Sequence, residues 1–204
     1  MSEYKFKELL NVLPLELQEK NSKFLRWQDR HANLFGKLLL LAGLKKYGYD
    51  SSCLKKIQFN ANGRPFLDTN IDFNISHSGE YVLCAFSKTT KIGIDIEKIT
   101  SIDFNNFDSV MTIEQMNSIK KSKDSIKTFF NYWTIKESFV KADGRGLEIP
   151  LLDIEINSNT AIYNNRIFFL NIINIDKNYC CNLASNSRNF NLKLKFLDKN
   201  LFFD

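Results

Sequence analysis

The segment from Lys91 to Ile99 constrains the fold more than any other part of the sequence, because its apolar and polar or small residues alternate strictly. Isoleucines occupy one set of alternate positions, and the other set holds Gly93, Asp95 and Glu97. Successive side chains of a β-strand point to opposite faces, so the pattern predicts a half-buried strand. Asp95 and Glu97 then share one face, with Cα atoms roughly 6.5 Å apart.

Two other segments have the residue spacing of helices. The spacing predicts one helix within residues 21–47, stopped by Gly48, and a second over residues 126–142, stopped by Gly144. Thr112 and Gln115 form the pattern of a capping box, which predicts that a short helix begins there, between the two longer helices. The predicted core stripes are Phe24, Trp27, His31, Leu34, Leu38 and Leu41 in the first helix and Phe129, Tyr132, Ile135 and Phe139 in the second.

Extended segments complete the predicted α+β fold. Residues 71–87 read as a hairpin whose two strands are joined by the polar break from His77 to Glu80. Asn-rich turns separate further extended segments after Pro150. We therefore expect two similarly sized α+β lobes that meet near residues 88–100. The late strands are predicted at 152–157, 166–174, 179–185 and 191–197.

Composition excludes several classes of protein. A chain of 204 residues with 44% hydrophobic residues has enough apolar surface to fold and is not disordered as a whole. The longest apolar run, residues 38–44, is far below the roughly 20 residues of a membrane span, and the N-terminus lacks a signal-peptide core. We predict a cytoplasmic protein without a membrane partner, whose four cysteines are buried free thiols.

The formal net charge of +5 allows an acidic partner or a phosphate ligand. Lys and Arg residues are dispersed, and no aromatic RNA-binding signature accompanies them, so we predict no nucleic-acid partner.

Three carboxylates are candidates for chemistry. Asp95 and Glu97 can hold one hard cation between them, and Gly93 on the same face would leave room for a ligand. The alternative is a pair of solvated carboxylates on an exposed strand face. Glu137 and Lys141 lie four residues apart on the second helix, which also fits an ordinary surface ion pair.

Two loops are candidates for phosphate contacts. The segment FNISHSG places Ser76 and His77 at a bend with backbone donors, and the segment GRPF places Arg64 in a Pro-stiffened loop. Each also fits an ordinary turn or a solvated cation.

The order of the segments GRPF, FNISHSG, IGIDIE and WTIKESFVKADGRGL across residues 63–150 resembles the 4′-phosphopantetheinyl transferases of the surfactin-activating type. The resemblance implies two similar lobes related by a pseudo-two-fold axis, each a long helix packed on a small, mostly antiparallel sheet. It implies coenzyme A phosphate contacts in residues 1–90, metal and catalytic residues in 91–204, and a monomer. The alternative is a non-catalytic coenzyme A-binding or carrier-binding protein on the same scaffold.

The resemblance also implies an activity: Mg²⁺-dependent transfer of the phosphopantetheine arm of coenzyme A to a serine of an apo acyl or peptidyl carrier protein, which releases 3′,5′-ADP. Mn²⁺ is the alternative metal. Asp95, Glu97 and Glu137 are the expected metal ligands, and Glu137 is the expected general base, with Glu114 as the second candidate. Lys141 is expected to stabilise the leaving phosphate.

Binding residues follow from the resemblance and from charge. Ala32 stands where a basic coenzyme contact is expected, and Arg30 or Arg26 can replace it. The predicted coenzyme A contacts are Lys20, Lys23, His31, Arg64, Ser76 and His77. The predicted apolar carrier contacts are Met111, Ile113 and Met116, with Lys136, Lys141 and Arg145 expected to attract an acidic carrier. A core position is the alternative for the apolar three.

Overall fold

The structure is a computed structural model, which describes residues 2–189 and 191–197. The chain divides into two compact units, residues 1–58 with 189–204, and residues 59–188. The hairpin of residues 71–87 therefore groups with the second unit. The predicted lobes, residues 1–90 and 91–204, have bounds different from those of the two compact units, and they stay a prediction.

Among the described residues, the α-helices of the first unit are α1 (Glu3–Leu10), α2 (Leu15–Ser22) and α3 (Trp27–Lys45). Leucines at helical spacing in α3 are buried, and the φ of Gly48 is +87°, as the predicted stop requires. The predicted start was wrong, because the buried Asn21 belongs to α2 and donates a 2.8 Å hydrogen bond to the main chain of Arg30. Trp27, predicted as core, is 65% exposed.

The second unit is built on an antiparallel sheet and one long helix. The described strands and the other α-helices are β1 (Gln58–Phe59), β2 (Pro65–Phe66), β3 (Asp72–Ser78), β4 (Tyr81–Ser87), β5 (Ile92–Lys98), α4 (Ile113–Lys121), α5 (Ser125–Asp143), β6 (Glu155–Asn157), β7 (Thr160–Tyr163), β8 (Arg166–Ile172) and β9 (Tyr179–Ser185). A hairpin of β3 and β4 precedes β5, which is an edge strand of a sheet with the order β5-β9-β8-β7-β6. Helix α5 packs on β5 and β9 around a core that includes Phe139, Ile154 and Phe168.

Local sequence explains most of these elements. The capping box of Thr112 and Gln115 opens α4, and Gly144 closes α5 with a φ of +88°. Asn164 and Asn165 both have positive φ and form the tight turn between β7 and β8. The α+β class is confirmed, as is the packing of a long helix on an antiparallel sheet in this unit.

Three strand predictions need correction. Residues 160–163 form β7, which was not predicted, and residues 191–197 form no strand. The hairpin turn is shorter than predicted, because β3 includes His77 and Ser78 and the chain reverses at Gly79 and Glu80. Finally, β5 is buried from Ile92 to Ile96, so it is buried on both faces over most of its length.

Candidate active site

Asp95 is the centre of a buried cluster of charged groups. Its side chain is 4% exposed, and its Oδ1 atom lies 2.6 Å from the Lys141 Nζ atom. The hydroxyl of Ser76 donates a 3.0 Å hydrogen bond to the same oxygen. Oδ2 is also buried, and none of the described residues donates a hydrogen bond to it. Burial raises the pKa of Asp95, although the Lys141 ammonium opposes this shift.

Glu97 and Glu137 add two more carboxylates to the same electrostatic environment. Burial raises the pKa of Glu97, against a 2.8 Å hydrogen bond from the Ser78 hydroxyl, and the charge of Asp95 raises it further. Burial also raises the pKa of Glu137, and both strand carboxylates add to this effect. The charge of Lys141 opposes the rise in pKa of all three carboxylates, but among the described residues its ammonium group contacts only one of them, Asp95. The alternative of two solvated strand carboxylates is wrong for Asp95.

Gly93 explains how β5 and α5 come close enough to form this cluster. A Cβ atom at Gly93 would collide with the main chain of α5 at Ser138 and Ala142. The missing side chain therefore makes room for the helix that carries Glu137 and Lys141, and the predicted room for a ligand was wrong.

The cluster can accept a cation but does not form a complete metal site by itself. Within residues 2–189 and 191–197, no three His, Cys, Asp or Glu side chains are gathered so that they could hold a metal ion. Mg²⁺ in proteins usually takes one or two carboxylates and completes its shell with water and substrate phosphates. The orphaned Oδ2 of Asp95, beside two carboxylates with raised pKa values, fits that donor set.

Two predicted phosphate contacts have their donors already engaged. Ser76 is 4% exposed and directs its hydroxyl at Asp95. Arg64 forms two hydrogen bonds with the carboxylate of Asp72, at 2.9 and 2.8 Å, and donates others to the main-chain oxygens of Lys141 and Ile92. The structure thus gives both residues partners inside the second unit. His77, by contrast, is exposed on β3.

A cavity of about 480 Å³ lies beside Arg64, and its wall contains none of the three carboxylates. Lys141 connects this region to the cluster, because its main-chain oxygen accepts from Arg64 while its ammonium group contacts Asp95.

The remaining predicted coenzyme contacts belong to the first unit. Lys20 and Lys23 are exposed at the end of α2, and His31 is half-buried on α3 with its ring against Phe6 and Trp27.

The candidates to replace a basic residue at Ala32 differ in their surroundings. Arg30 donates to the main-chain oxygens of Phe24 and Ser22, whereas Arg26 is largely exposed.

The predicted carrier surface needs two corrections. Met111 and Met116 are 3% and 8% exposed and pack with Phe129 in a hydrophobic cluster, so the core alternative holds for both. Ile113 is 78% exposed at the start of α4.

All three cations predicted to attract the carrier are engaged, and Lys141 is bound to Asp95. Lys136 is buried, and its ammonium group donates to the main-chain oxygens of Val110 and Leu151 at 2.6 and 2.7 Å. Burial lowers its pKa to about 8. Arg145 is held by the buried carboxylate of Asp143, so the basic loop after α5 is anchored.

Glu114, the second candidate for the base, is exposed in the first turn of α4. Hydrogen bonds with its own amide group and with Thr112 lower its pKa. Glu137 has the opposite shift, caused by burial and by the neighbouring carboxylates.

The sequence places Ser78 in the FNISHSG bend as a residue of a candidate phosphate site, and does not predict that its hydroxyl donates to Glu97. A signal was present in β3, where the alternate residues Asp72, Asn74, Ser76 and Ser78 are all short and polar. Each of the four side chains accepts a hydrogen bond from the main chain of β5, at Ile92, Ile94, Ile96 and Lys98.

Comparison with known proteins identifies the family. Residues 91–192 match the model of the 4′-phosphopantetheinyl transferase superfamily, and residues 1–89 match the model of a 4′-phosphopantetheinyl transferase N-terminal region. The chain belongs to the 4′-phosphopantetheinyl transferase superfamily. It is an enzyme of that family, and this favours the catalytic interpretation over a binding protein on the same scaffold.

Two bacterial relatives cover much of the chain. The 4′-phosphopantetheinyl transferase gsp of Aneurinibacillus migulanus is 34% identical, over 92% of this chain and 85% of that protein. The 4′-phosphopantetheinyl transferase Sfp of Bacillus subtilis is 34% identical, over 74% of this chain and 69% of that protein. The crystal structure of Thermotoga maritima holo-[acyl-carrier-protein] synthase covers 48% of this chain and 63% of that chain, with 14% identity and a TM-score of 0.37, and carries no weight for the fold.

No helix in the described ranges combines the length and the apolar composition needed to cross a membrane.

Proposed function

We propose that this transferase moves the phosphopantetheine arm of coenzyme A to a serine hydroxyl of an apo acyl or peptidyl carrier protein and releases 3′,5′-ADP. The observation that supports it most is the buried Asp95 carboxylate, with one oxygen on Lys141 and the other without a hydrogen-bond donor among the described residues. Such an arrangement suits a substrate that brings a cation and a diphosphate together.

For Mg²⁺, with Mn²⁺ as the alternative, we propose ligands from among Asp95, Glu97 and Glu137. Because the described side chains do not form a three-ligand site by themselves, phosphate oxygens and water would supply the rest of the coordination shell. When bound, the cation offsets negative charge on the diphosphate.

In the proposed reaction, the serine oxygen forms a bond to the phosphorus of the phosphopantetheine group, and the bond from that phosphorus to the bridging oxygen breaks. Glu137 takes the serine proton, for which its raised pKa is suitable. Lys141, one helical turn away, stabilises the charge on the departing phosphate of 3′,5′-ADP.

For the coenzyme phosphates, we propose Lys20, Lys23, His31 and His77. Arg64 and Ser76 are left out because their donor groups already bind Asp72 and Asp95.

For the carrier, the proposal retains Ile113 as an exposed apolar contact. We further propose that the enzyme acts as a monomer in the cytoplasm, where its four cysteines, which form no disulfide, are stable as thiols.

The test is incubation of the full chain with coenzyme A, Mg²⁺ and a panel of apo-carriers, followed by intact-mass measurement of each carrier. We expect a carrier to gain one phosphopantetheine group, and a Ser→Ala change at the carrier's modification site to abolish the gain. A chain that binds coenzyme A but modifies none of a fatty-acid, polyketide and nonribosomal-peptide carrier would contradict the proposal.

A further inference from the structure

Two serines of β3 make the same pair of hydrogen bonds to β5. Ser76 donates to Asp95 at 3.0 Å and accepts, at 3.3 Å, from the amide of the residue that follows this carboxylate. Ser78 donates to Glu97 at 2.8 Å and accepts, at 3.0 Å, from the amide of the next residue. The repeat shows that each hydroxyl is fixed by the main chain of β5 while it holds a carboxylate of the same strand.

A serine hydroxyl has a single proton to donate. Ser76 and Ser78 both give it to a carboxylate, so neither can donate a hydrogen bond to a phosphate at the same time.

The two carboxylates depend on their serines to different extents. Asp95 is also held by the Lys141 ammonium at 2.6 Å and has a short side chain. Glu97 is longer and half-buried, and Ser78 is the donor that fixes its Oε2 atom. Loss of the Ser78 hydroxyl therefore releases Glu97, whereas loss of the Ser76 hydroxyl leaves Asp95 on Lys141.

We propose that Ser78 is a positioning residue, which fixes the Glu97 carboxylate for the cation of the proposed function, on which this inference rests. Ser76 acts in the same way on Asp95 but contributes more to folding, because its loss leaves the Ile96 amide without an acceptor in a buried position. The Lys98 amide, which donates to Ser78, is exposed. Removal of a hydrogen bond to a metal-binding carboxylate typically lowers metal affinity by about 10–100-fold.

The first test measures Mn²⁺ affinity of the full chain without coenzyme A, from the electron paramagnetic resonance signal of free Mn²⁺. We expect Ser78→Ala to weaken binding about 10-fold or more and Ser78→Thr, which keeps the hydroxyl, to bind like the parent. Ser87→Ala is the matched control, because Ser87 is also a half-buried serine on a strand. Its hydroxyl forms a hydrogen bond with the hydroxyl of Thr90. Equal Mn²⁺ affinities of parent and Ser78→Ala, or equal losses in the Ala and Thr variants, would overturn the proposal.

The second test is independent of the metal. Crystal structures of the parent and of Ser78→Ala should show Glu97 in different side-chain rotamers, and an unchanged Glu97 would overturn the positioning role even if the transferase proposal stands.

Ser76→Ala should lower the melting temperature more than Ser78→Ala does. Asp95→Ala tests the proposed function itself: if it binds Mn²⁺ as tightly as the parent, the metal assignment fails, and the role of Ser78 fails with it.

Discussion

Replacement of Arg64 by Ala should destabilise the protein and leave coenzyme A recognition largely intact. The Arg64 side chain is 10% exposed, and its guanidinium forms a two-pronged contact with the equally buried carboxylate of Asp72. In the variant, the cation nearest to Asp72 is Lys91, which lies 3.7 Å away and is 61% exposed. Removing one partner of a buried ion pair typically costs about 3–5 kcal/mol, and we expect a loss of that size in the free energy of unfolding.

Guanidinium chloride denaturation of Arg64→Ala, Asp72→Asn and the double variant measures this coupling. The double variant should be more stable than the sum of the single changes predicts, because it leaves no unpaired charge. At temperatures where Arg64→Ala is folded, its KM for coenzyme A and its preference over dephospho-coenzyme A should match those of the parent. A parent-like denaturation midpoint together with a loss of discrimination for the 3′-phosphate would refute this reasoning and restore Arg64 as a coenzyme contact.

Three further outcomes are expected. Asp95→Ala and Glu97→Ala should each lower the rate on the order of 10²-fold or more at limiting Mg²⁺, and EDTA should abolish turnover of the parent, measured by carrier mass. Glu137→Gln should lower kcat by about 10²–10⁴-fold, whereas Glu114→Gln should lower it little. If kcat falls only in Glu114→Gln, then Glu114 is the base. Lys136 has a folded-state pKa of about 8 against an ordinary value of 10.5, so unfolded chains retain its proton between these pH values. Relative to Lys136→Met, the parent should gain about 3 kcal/mol of stability as the pH rises through this window, seen in urea midpoints; parallel pH curves would contradict this.

Elements with a strong local signal were predictable from the sequence. The alternation in β5, the apolar spacing in α5, the capping box of α4 and the stop at Gly144 all depend on residues close together in the chain. The order of motifs was sufficient to predict the family and its catalytic class.

The environment of the site was less predictable, because it depends on contacts distant in sequence. The burial of Asp95 requires α5 and β3 to pack against the same strand, which alternation in β5 cannot reveal. The burial of Lys136 did have a local signal: it lies seven residues after Phe129 and three before Phe139, on the apolar stripe of the helix. An isolated lysine on such a stripe is a candidate for a buried ammonium group that binds main-chain oxygens of neighbouring segments.

The side-chain hydrogen bonds from β3 to β5 also bear on whether the edge of this sheet can pair with another chain. An edge strand normally presents a row of main-chain donors and acceptors that can pair with another copy and start aggregation. On the open edge of β5, the amide hydrogens at alternate positions are already bonded to β3 side chains, and Arg64 binds the oxygen of Ile92. The strand that carries Asp95 and Glu97 is thereby closed to β-sheet extension by short polar side chains, without a further paired strand. Substitutions that remove these side chains should therefore promote self-association as well as lower activity.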